Sequence, residues 1–152
     1  MENRIEIEDP RQPEVIALLA ESDSYYSTLY PAESNHLLDA SFLARPEVTF
    51  LVARVYGQTA GFGALLRHRA AFGEIKRMYV APAMRDRKLG RLLLHALQEH
   101  ALADGLPCLR LETGIRQPQA IALYRSDGYR EIPPFGDYRP DPLSIFMEKR
   151  LR

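Results

Sequence analysis

The chain has 152 residues and a formal net charge of zero, which argues against a dedicated nucleic-acid-binding protein. Its hydrophobic content of 46% is enough for one buried core, so we expect a single domain over residues 1–152. The single cysteine, Cys108, excludes an intrachain disulfide. The absence of a secretory leader and of any apolar run of about 18 residues predicts a cytoplasmic protein with no membrane partner.

The first part of the chain predicts one strand and two short helices. Polar and apolar residues alternate over residues 4–7, which is typical of a strand. A helix is expected over residues 13–19, with Pro near its start. A polar and aromatic stretch, residues 22–36, separates it from a second helix over residues 37–43.

Three strands are then expected to form an antiparallel meander. They cover residues 48–55, 59–66 and 72–80. A hairpin turn containing Gly57 connects the first two. Pro82 ends the third strand because proline cannot donate a ladder hydrogen bond.

The second half alternates helices and strands. The apolar period after Leu89 predicts a helix to about residue 103, and the strand over residues 106–112 should pair parallel with the strand before that helix. A short helix over residues 117–126 precedes two more strands, the last over residues 143–149. The predicted order is β-α-α-β-β-β-α-β-α-β-β, an α/β chain whose mixed, mostly antiparallel sheet has about six or seven strands between flanking helices.

A cluster of cations marks the start of the long helix. Residues 85–91 contain four Arg or Lys side chains and one Gly. A helix N-terminus presents unpaired N–H groups and a positive dipole, so this turn suits a phosphate group. Neither the P-loop pattern nor the dinucleotide fingerprint is present.

Two motifs resemble those of the GNAT acyltransferase superfamily. Val80-Ala81-Pro82 followed by Arg85-x-x-Lys88-x-Gly90 resembles its pyrophosphate-binding segment. The second motif is Ala120-x-x-Leu123-Tyr124-x-x-x-Gly128-Tyr129, with Gln117 where many members carry Asn. The element order also agrees, so the whole chain resembles a small bacterial N-acetyltransferase with the GNAT fold.

Lys88 departs from the family pattern, which usually has Gly at that position. Its side chain either crowds the pyrophosphate or adds a charge that offsets the loss of close backbone approach. Helical dihedrals, which do not require Gly, are expected at Lys88, so the turn itself can survive the replacement.

The resemblance implies direct transfer of the acetyl group of acetyl-CoA to a primary amine of a small molecule or peptide. The alternative is a non-catalytic acyl-CoA-binding regulatory module with the same fold. Members often dimerise through the half that contains the last two strands, and these strands can present an edge, so we expect a homodimer. No metal-ligand spacing is present.

The resemblance also assigns site residues. It implies cofactor contacts at Met78, Tyr79, Val80, Arg85, Arg87, Lys88, Leu89, Gly90, Arg91, Gln117 and Tyr124. The backbone N–H of Tyr79 or Val80 would polarise the thioester carbonyl. Tyr124 corresponds to the general acid that protonates the leaving thiolate.

The base that deprotonates the amine has three candidates: Glu74, Glu112 and a water chain. We predict Glu74 as catalytic, although Lys76 could instead neutralise it. Strand alternation places Glu74, Lys76, Met78 and Val80 on one face, opposite Ile75, Arg77 and Tyr79. We expect Tyr25, Tyr30 and Glu112 to bind the acceptor.

Overall fold

The structure, a computed structural model, describes residues 3–32, 38–85 and 88–151. Its strands are β1 (Asn3–Ile7), β2 (Val48–Val55), β3 (Gln58–His68), β4 (Phe72–Val80), β5 (Cys108–Gly114), β6 (Arg130–Ile132) and β7 (Ser144–Arg150). Its helices are α1 (Pro13–Leu29), α2 (Ala40–Leu43), α3 (Leu89–Ala103) and α4 (Pro118–Ser126). Among the described residues, none of the helices combines the length and apolar character needed to cross a membrane.

The strands form one sheet in the order β1-β2-β3-β4-β5-β7-β6. Among the strands of the described residues, only β4 and β5 pair in parallel, because α3 carries the chain back across the sheet between them. The predicted element order and the mixed, mostly antiparallel sheet are therefore confirmed. The expectation that both last strands present an edge is correct only for β6, since β7 pairs with β5 on one side and β6 on the other.

Helices cover both faces of the sheet. On one face, α3 packs its buried leucines, Leu93, Leu94 and Leu97, into a cluster with Leu65 and Ile75. On the other face, α1 contributes Val15, Leu18 and Leu19 to a cluster with Phe50 and Phe62. Apolar burial on both faces makes β2 to β5 the centre of the core.

Helix α1 is ten residues longer than predicted, ending at Leu29 rather than at residue 19. The inner face of the helix continues through Ser22, which is fully buried. Because Ser22 is polar, the apolar pattern of the sequence breaks there and suggested that the helix had already ended. The extension places Tyr25 and Tyr26 on the helix.

Helix α2 begins at Ala40 and is capped by Asp39, whose side chain accepts a hydrogen bond from the Phe42 N–H at 2.9 Å. The predicted start at residue 37 lies outside the described residues.

A bulge interrupts β4 at Arg77, where φ is +56°. The register shifts between the pairs Phe62–Tyr79 and Ala64–Lys76, so that two residues of β4 oppose one residue of β3. Arg77 therefore lies on the α1 face, where its guanidinium donates to the Leu19 carbonyl, while Met78 packs with the α3 cluster. The predicted alternation is wrong beyond Lys76 because the bulge exchanges the two faces.

Candidate active site

A cleft opens where β4 and β5 stop pairing. Their parallel ladder covers only Gly73 to Ile75 on β4, opposite Leu109 to Leu111 on β5. Beyond it lies a cavity of about 590 Å³ that also borders α1, the first turn of α3 and α4. Separation of two parallel strands exposes backbone polar groups that a continuous ladder would have paired.

The cleft collects most of the predicted site residues. The members of that set in its wall are Tyr25, Tyr30, Glu74, Met78, Tyr79, Val80, Arg85, Lys88, Leu89, Gly90, Glu112, Gln117 and Tyr124. Arg91 is not in the wall: its guanidinium donates to the Ser126 hydroxyl at 3.0 Å and lies 3.6 Å from the Asp127 carboxylate. Arg87 lies outside the described residues.

Of the two backbone donors considered for the thioester carbonyl, Val80 has the better orientation. The Ala81 N–H bonds the Ala60 carbonyl, so Ala81 faces β3. Strand residues present their N–H and C=O groups to alternate sides, which directs Val80 toward the cleft and Tyr79 toward β3. The Val80 carbonyl accordingly accepts from the Arg85 Nε atom on the side away from β3, at 3.1 Å.

The first turn of α3 forms the cationic end of the cleft. Lys88 precedes the helix with φ +58°, a left-handed conformation, so the expectation of helical dihedrals there is wrong. This is the conformation that Gly adopts without steric cost, which gives a physical reason for Gly at that position in the family. The adjacent helix N-terminus, Lys88 and Arg85 together fit the diphosphate of a nucleotide-bearing acyl donor.

Tyr124 lies on α4 and is only 6% exposed. Its ring packs edge-on against Tyr129, with centroids 5.6 Å apart. Burial raises the pKa of Tyr124, so the phenol keeps its proton throughout the neutral range. A protonated hydroxyl in the cleft wall is suitable for donating a proton to a leaving group.

A hydrogen-bonded cluster joins α1 to the start of α4. The Gln117 amide oxygen accepts from the Tyr30 hydroxyl at 3.2 Å, and its nitrogen lies 3.4 Å from the Tyr26 hydroxyl. Tyr26 in turn donates to the Met78 carbonyl at 3.1 Å. Gly114 makes room for this cluster, since a Cβ there would overlap the Tyr30 ring. The amide predicted to contact the cofactor is thus engaged by Tyr26 of α1 and by Tyr30, the residue that follows the helix.

Glu74 is a buried carboxylate within a polar network. Its side chain is 4% exposed, and its Oε1 atom lies 2.9 Å from the His68 Nε2 atom. Its Oε2 atom accepts a 2.6 Å hydrogen bond from the Tyr138 hydroxyl and lies 3.4 Å from the Lys76 Nζ atom. Glu112, the second carboxylate of the cleft, accepts from the Ser144 hydroxyl at 2.7 Å.

Tyr138 and His68 were not among the site residues predicted from the sequence. Tyr138 lies in the irregular loop between β6 and β7, where no periodicity indicates the direction of a side chain. The available signal was its place three residues after Phe135 in a proline-rich segment. In the structure the two side chains form an aromatic pair with ring centroids 5.2 Å apart.

Comparison with known proteins agrees with this geometry. The profile of the Acetyltransferase (GNAT) family matches residues 15–129. An IAA acetyltransferase of Azospirillum brasilense is 50% identical over 145 residues, which cover 95% of each chain. YsnE of Bacillus subtilis (strain 168), an N-acetyltransferase described as uncharacterized, is 35% identical over 97% of this chain and 99% of its own length.

A solved structure shows the same fold. It is that of a chain from Klebsiella pneumoniae subsp. pneumoniae MGH 78578 that has been assigned to the acyl-CoA N-acyltransferases. The two chains are 40% identical and superpose with a TM-score of 0.83, covering 99% of this chain and 98% of that one. The profile match, the close relative and the cleft at the end of the β4–β5 ladder lead to one conclusion: the chain belongs to the GNAT family of acetyltransferases, which use acetyl-CoA.

Proposed function

We propose that this acetyltransferase moves the acetyl group of acetyl-CoA directly to a primary amine of a small molecule or peptide. The observation that carries the proposal is the composition of a single cleft. A buried carboxylate, a buried phenol and a helix N-terminus flanked by cations all border the point where β4 and β5 separate. These are the groups that acyl transfer from a thioester to an ammonium requires.

Each group has a distinct role in this proposal. Arg85, Lys88 and the first N–H groups of α3 hold the diphosphate of the donor. The Val80 N–H polarises the thioester carbonyl, and Tyr124 protonates the leaving thiolate. Glu74 takes up the proton of the acceptor, while Glu112, Tyr25 and Tyr30 bind the acceptor on the α1 side.

The state of Cys108 supports direct transfer. Its thiol lies on β5, is 3% exposed and is not in the cleft wall. Burial raises the pKa of this thiol, which disfavours the nucleophilic thiolate. An acetyl-cysteine intermediate is therefore absent from the proposed reaction, and both substrates must bind together.

The test is acetyl-CoA turnover with a panel of amines, measured as release of free coenzyme A thiol. The proposal expects release that depends on both the amine and the enzyme, with the acetylated amine identified by mass spectrometry. Binding of acetyl-CoA by calorimetry without amine-dependent release would instead favour a non-catalytic acyl-CoA-binding module.

We further propose that the chain is cytoplasmic and forms a homodimer through the half that contains β6 and β7. Among the described strands, β6 is a three-residue strand at the edge of the sheet, so one of its sides is available to a second copy. Light scattering at about 10–100 µM, a working range for a weak interface, should give twice the monomer mass. A monomer mass across this range would contradict the dimer.

A further inference from the structure

Building on the proposed function, we propose that Tyr138 is a further catalytic residue, which relays the proton of the acceptor ammonium to Glu74. The general base is then a phenol–carboxylate pair rather than a carboxylate alone. The inference rests on the position of Tyr138, on the hydrogen bonds that already occupy Glu74 and on a second cavity behind the pair.

The Tyr138 side chain is held rigidly at the boundary of two cavities. Its ring packs against Phe135 and Phe146, with centroids 5.2 and 5.4 Å away. Tyr138 and Glu74 both border the cleft, and both also border a neighbouring cavity of about 570 Å³. The pair therefore separates the two spaces.

Glu74 is poorly placed to contact the acceptor by itself. Its side chain is 4% exposed, with His68 on one oxygen and Tyr138 on the other. Tyr138 as a residue is half-buried rather than buried, and its hydroxyl, at 2.6 Å from Oε2, is within proton-transfer distance of the carboxylate. An ammonium in the cleft can thus reach the base through the phenol.

The transfer balances as two coupled steps. The acceptor N–H bond breaks as a new O–H bond forms on Tyr138, while the original Tyr138 proton moves to the Oε2 atom of Glu74. The ammonium becomes a neutral amine, Tyr138 is unchanged and the carboxylate becomes a carboxylic acid. A phenolic oxygen has one donor hydrogen and two acceptor lone pairs, so it can perform both halves.

The surroundings make this transfer concerted. Burial and the charge of Glu74 raise the pKa of Tyr138, so a free phenolate is disfavoured and the hydroxyl starts each cycle protonated. Lys76 donates to the Tyr138 oxygen at 2.5 Å and stabilises negative charge that develops there during transfer.

The second cavity provides a place where Glu74 can lose its proton after each turnover. His68 holds the Oε1 atom on that side, and its ring is fixed by stacking on Phe72 with centroids 4.4 Å apart. We therefore treat His68 as a positioning residue and water in this cavity as the proton acceptor. The charged and titratable groups around the pair are His68 from β3, Lys76 from β4, Arg110 and Glu112 from β5, and Asp137, Arg139 and Asp141 from the loop.

The test compares Tyr138→Phe with wild type on two acceptors of similar size and different basicity. For an alkylamine, which is charged at neutral pH, kcat should fall by roughly 10²–10⁴. The rate of the variant should then keep rising with pH toward the amine pKa of ~10, because only amine that is already neutral can attack. For an acyl hydrazide, whose terminal nitrogen is neutral at pH 7, the loss should be small.

Two further variants control the comparison. Glu74→Gln should show the same dependence on acceptor basicity, since it removes the end of the relay. Tyr129→Phe removes a buried, hydrogen-bonded phenol outside the cleft wall and should retain close to wild-type rates on both acceptors.

Equal losses on the two acceptors, or an unaffected Tyr138→Phe, would overturn the relay. If that variant does not fold, as judged by circular dichroism, a measurement on the wild-type protein tests the relay instead. The wild-type rate with the alkylamine, measured in mixtures of light and heavy water, should depend on the deuterium fraction along a curve, because two protons move in the same step. A linear dependence on the deuterium fraction would overturn the relay. A wild type without amine-dependent thiol release would instead overturn the proposed function.

Discussion

Removal of the Tyr124 hydroxyl tests its catalytic role separately from the packing role of the ring. Tyr124→Phe keeps the ring contact with Tyr129, so acetyl-CoA affinity should change little. If the hydroxyl protonates the leaving thiolate, kcat should fall by roughly 10²–10⁴, with an equal fall in kcat/KM. Steady-state kinetics and calorimetry measure the two quantities. A lower melting temperature with normal turnover would show that Tyr124 is a packing residue.

Arg85 provides a test of the diphosphate end of the cleft. Arg85→Ala should weaken acetyl-CoA binding by about 1–3 kcal/mol, the range for a lost charge-assisted hydrogen bond. The difference from wild type should shrink at high salt because salt screens the wild-type contact. Arg91→Ala is the matched control, since Arg91 points toward Ser126 and Asp127 and should affect calorimetric affinity less. Equal effects of the two changes would contradict the assignment.

At the scale of single elements, the start of α3 is constrained by one left-handed residue. For an L-residue this conformation costs about 1–2 kcal/mol, whereas Gly adopts it freely. The free energy of unfolding of Lys88→Gly should therefore be about 0.5–1 kcal/mol higher than that of Lys88→Ala. This difference allows for the greater conformational freedom of Gly in the unfolded chain.

The comparison of Gly with Ala at position 88 isolates the backbone, because both changes remove the same charge. Urea unfolding followed by circular dichroism measures the difference. An Ala variant as stable as the Gly variant would show that the left-handed turn is absent in solution.

The bulge in β4 is the second element-scale feature with a consequence for the site. It directs Arg77 into the α1 face, where its 2% exposed side chain pairs with Asp23 at 2.8 Å. Tyr79 follows it into the cluster on that face. Because of this one extra residue, the side chains of β4 beyond Lys76 point to the face opposite the one that regular alternation would give. Near the end of the same strand, Val80 presents its backbone to the cleft.

For the whole molecule, buried phenols predict a loss of stability in alkali. Burial raises the pKa of Tyr26, Tyr30, Tyr79, Tyr124, Tyr129 and Tyr138, for Tyr79 to about 12. The folded chain holds these protons more tightly than the unfolded chain, whose phenols ionise near pH ~10. Their contribution to stability is complete below pH ~10 and is lost as the pH rises toward the folded pKa values.

Urea unfolding between about pH 8 and pH 11 measures this dependence. The free energy of unfolding should be steady up to pH ~10 and should then decline. Tyr129→Phe should decline less steeply, because it removes one of the phenols, while the exposed Tyr56→Phe should follow wild type. Identical slopes in all three proteins would contradict a contribution from Tyr129.

The sequence alone determined the order of elements, most of their bounds and the parallel β4–β5 pair. Those features depend on local regularities: the period of apolar residues along α3, alternation in the strands, and turn residues such as Gly57, which is left-handed in the structure. The two motifs also located the helix N-terminus and Tyr124, because their residues are close in sequence and share one short structural unit.

Only the tertiary structure decided how the site is completed. Tyr138 and Glu74 are 64 residues apart and meet because Phe135 and Phe146 pack the loop onto the sheet. The bulge at Arg77 and the left-handed turn at Lys88 likewise depend on how strands and helices fit together. Such contacts leave no periodic signal in the sequence, since their free energy comes from neighbours that folding brings close.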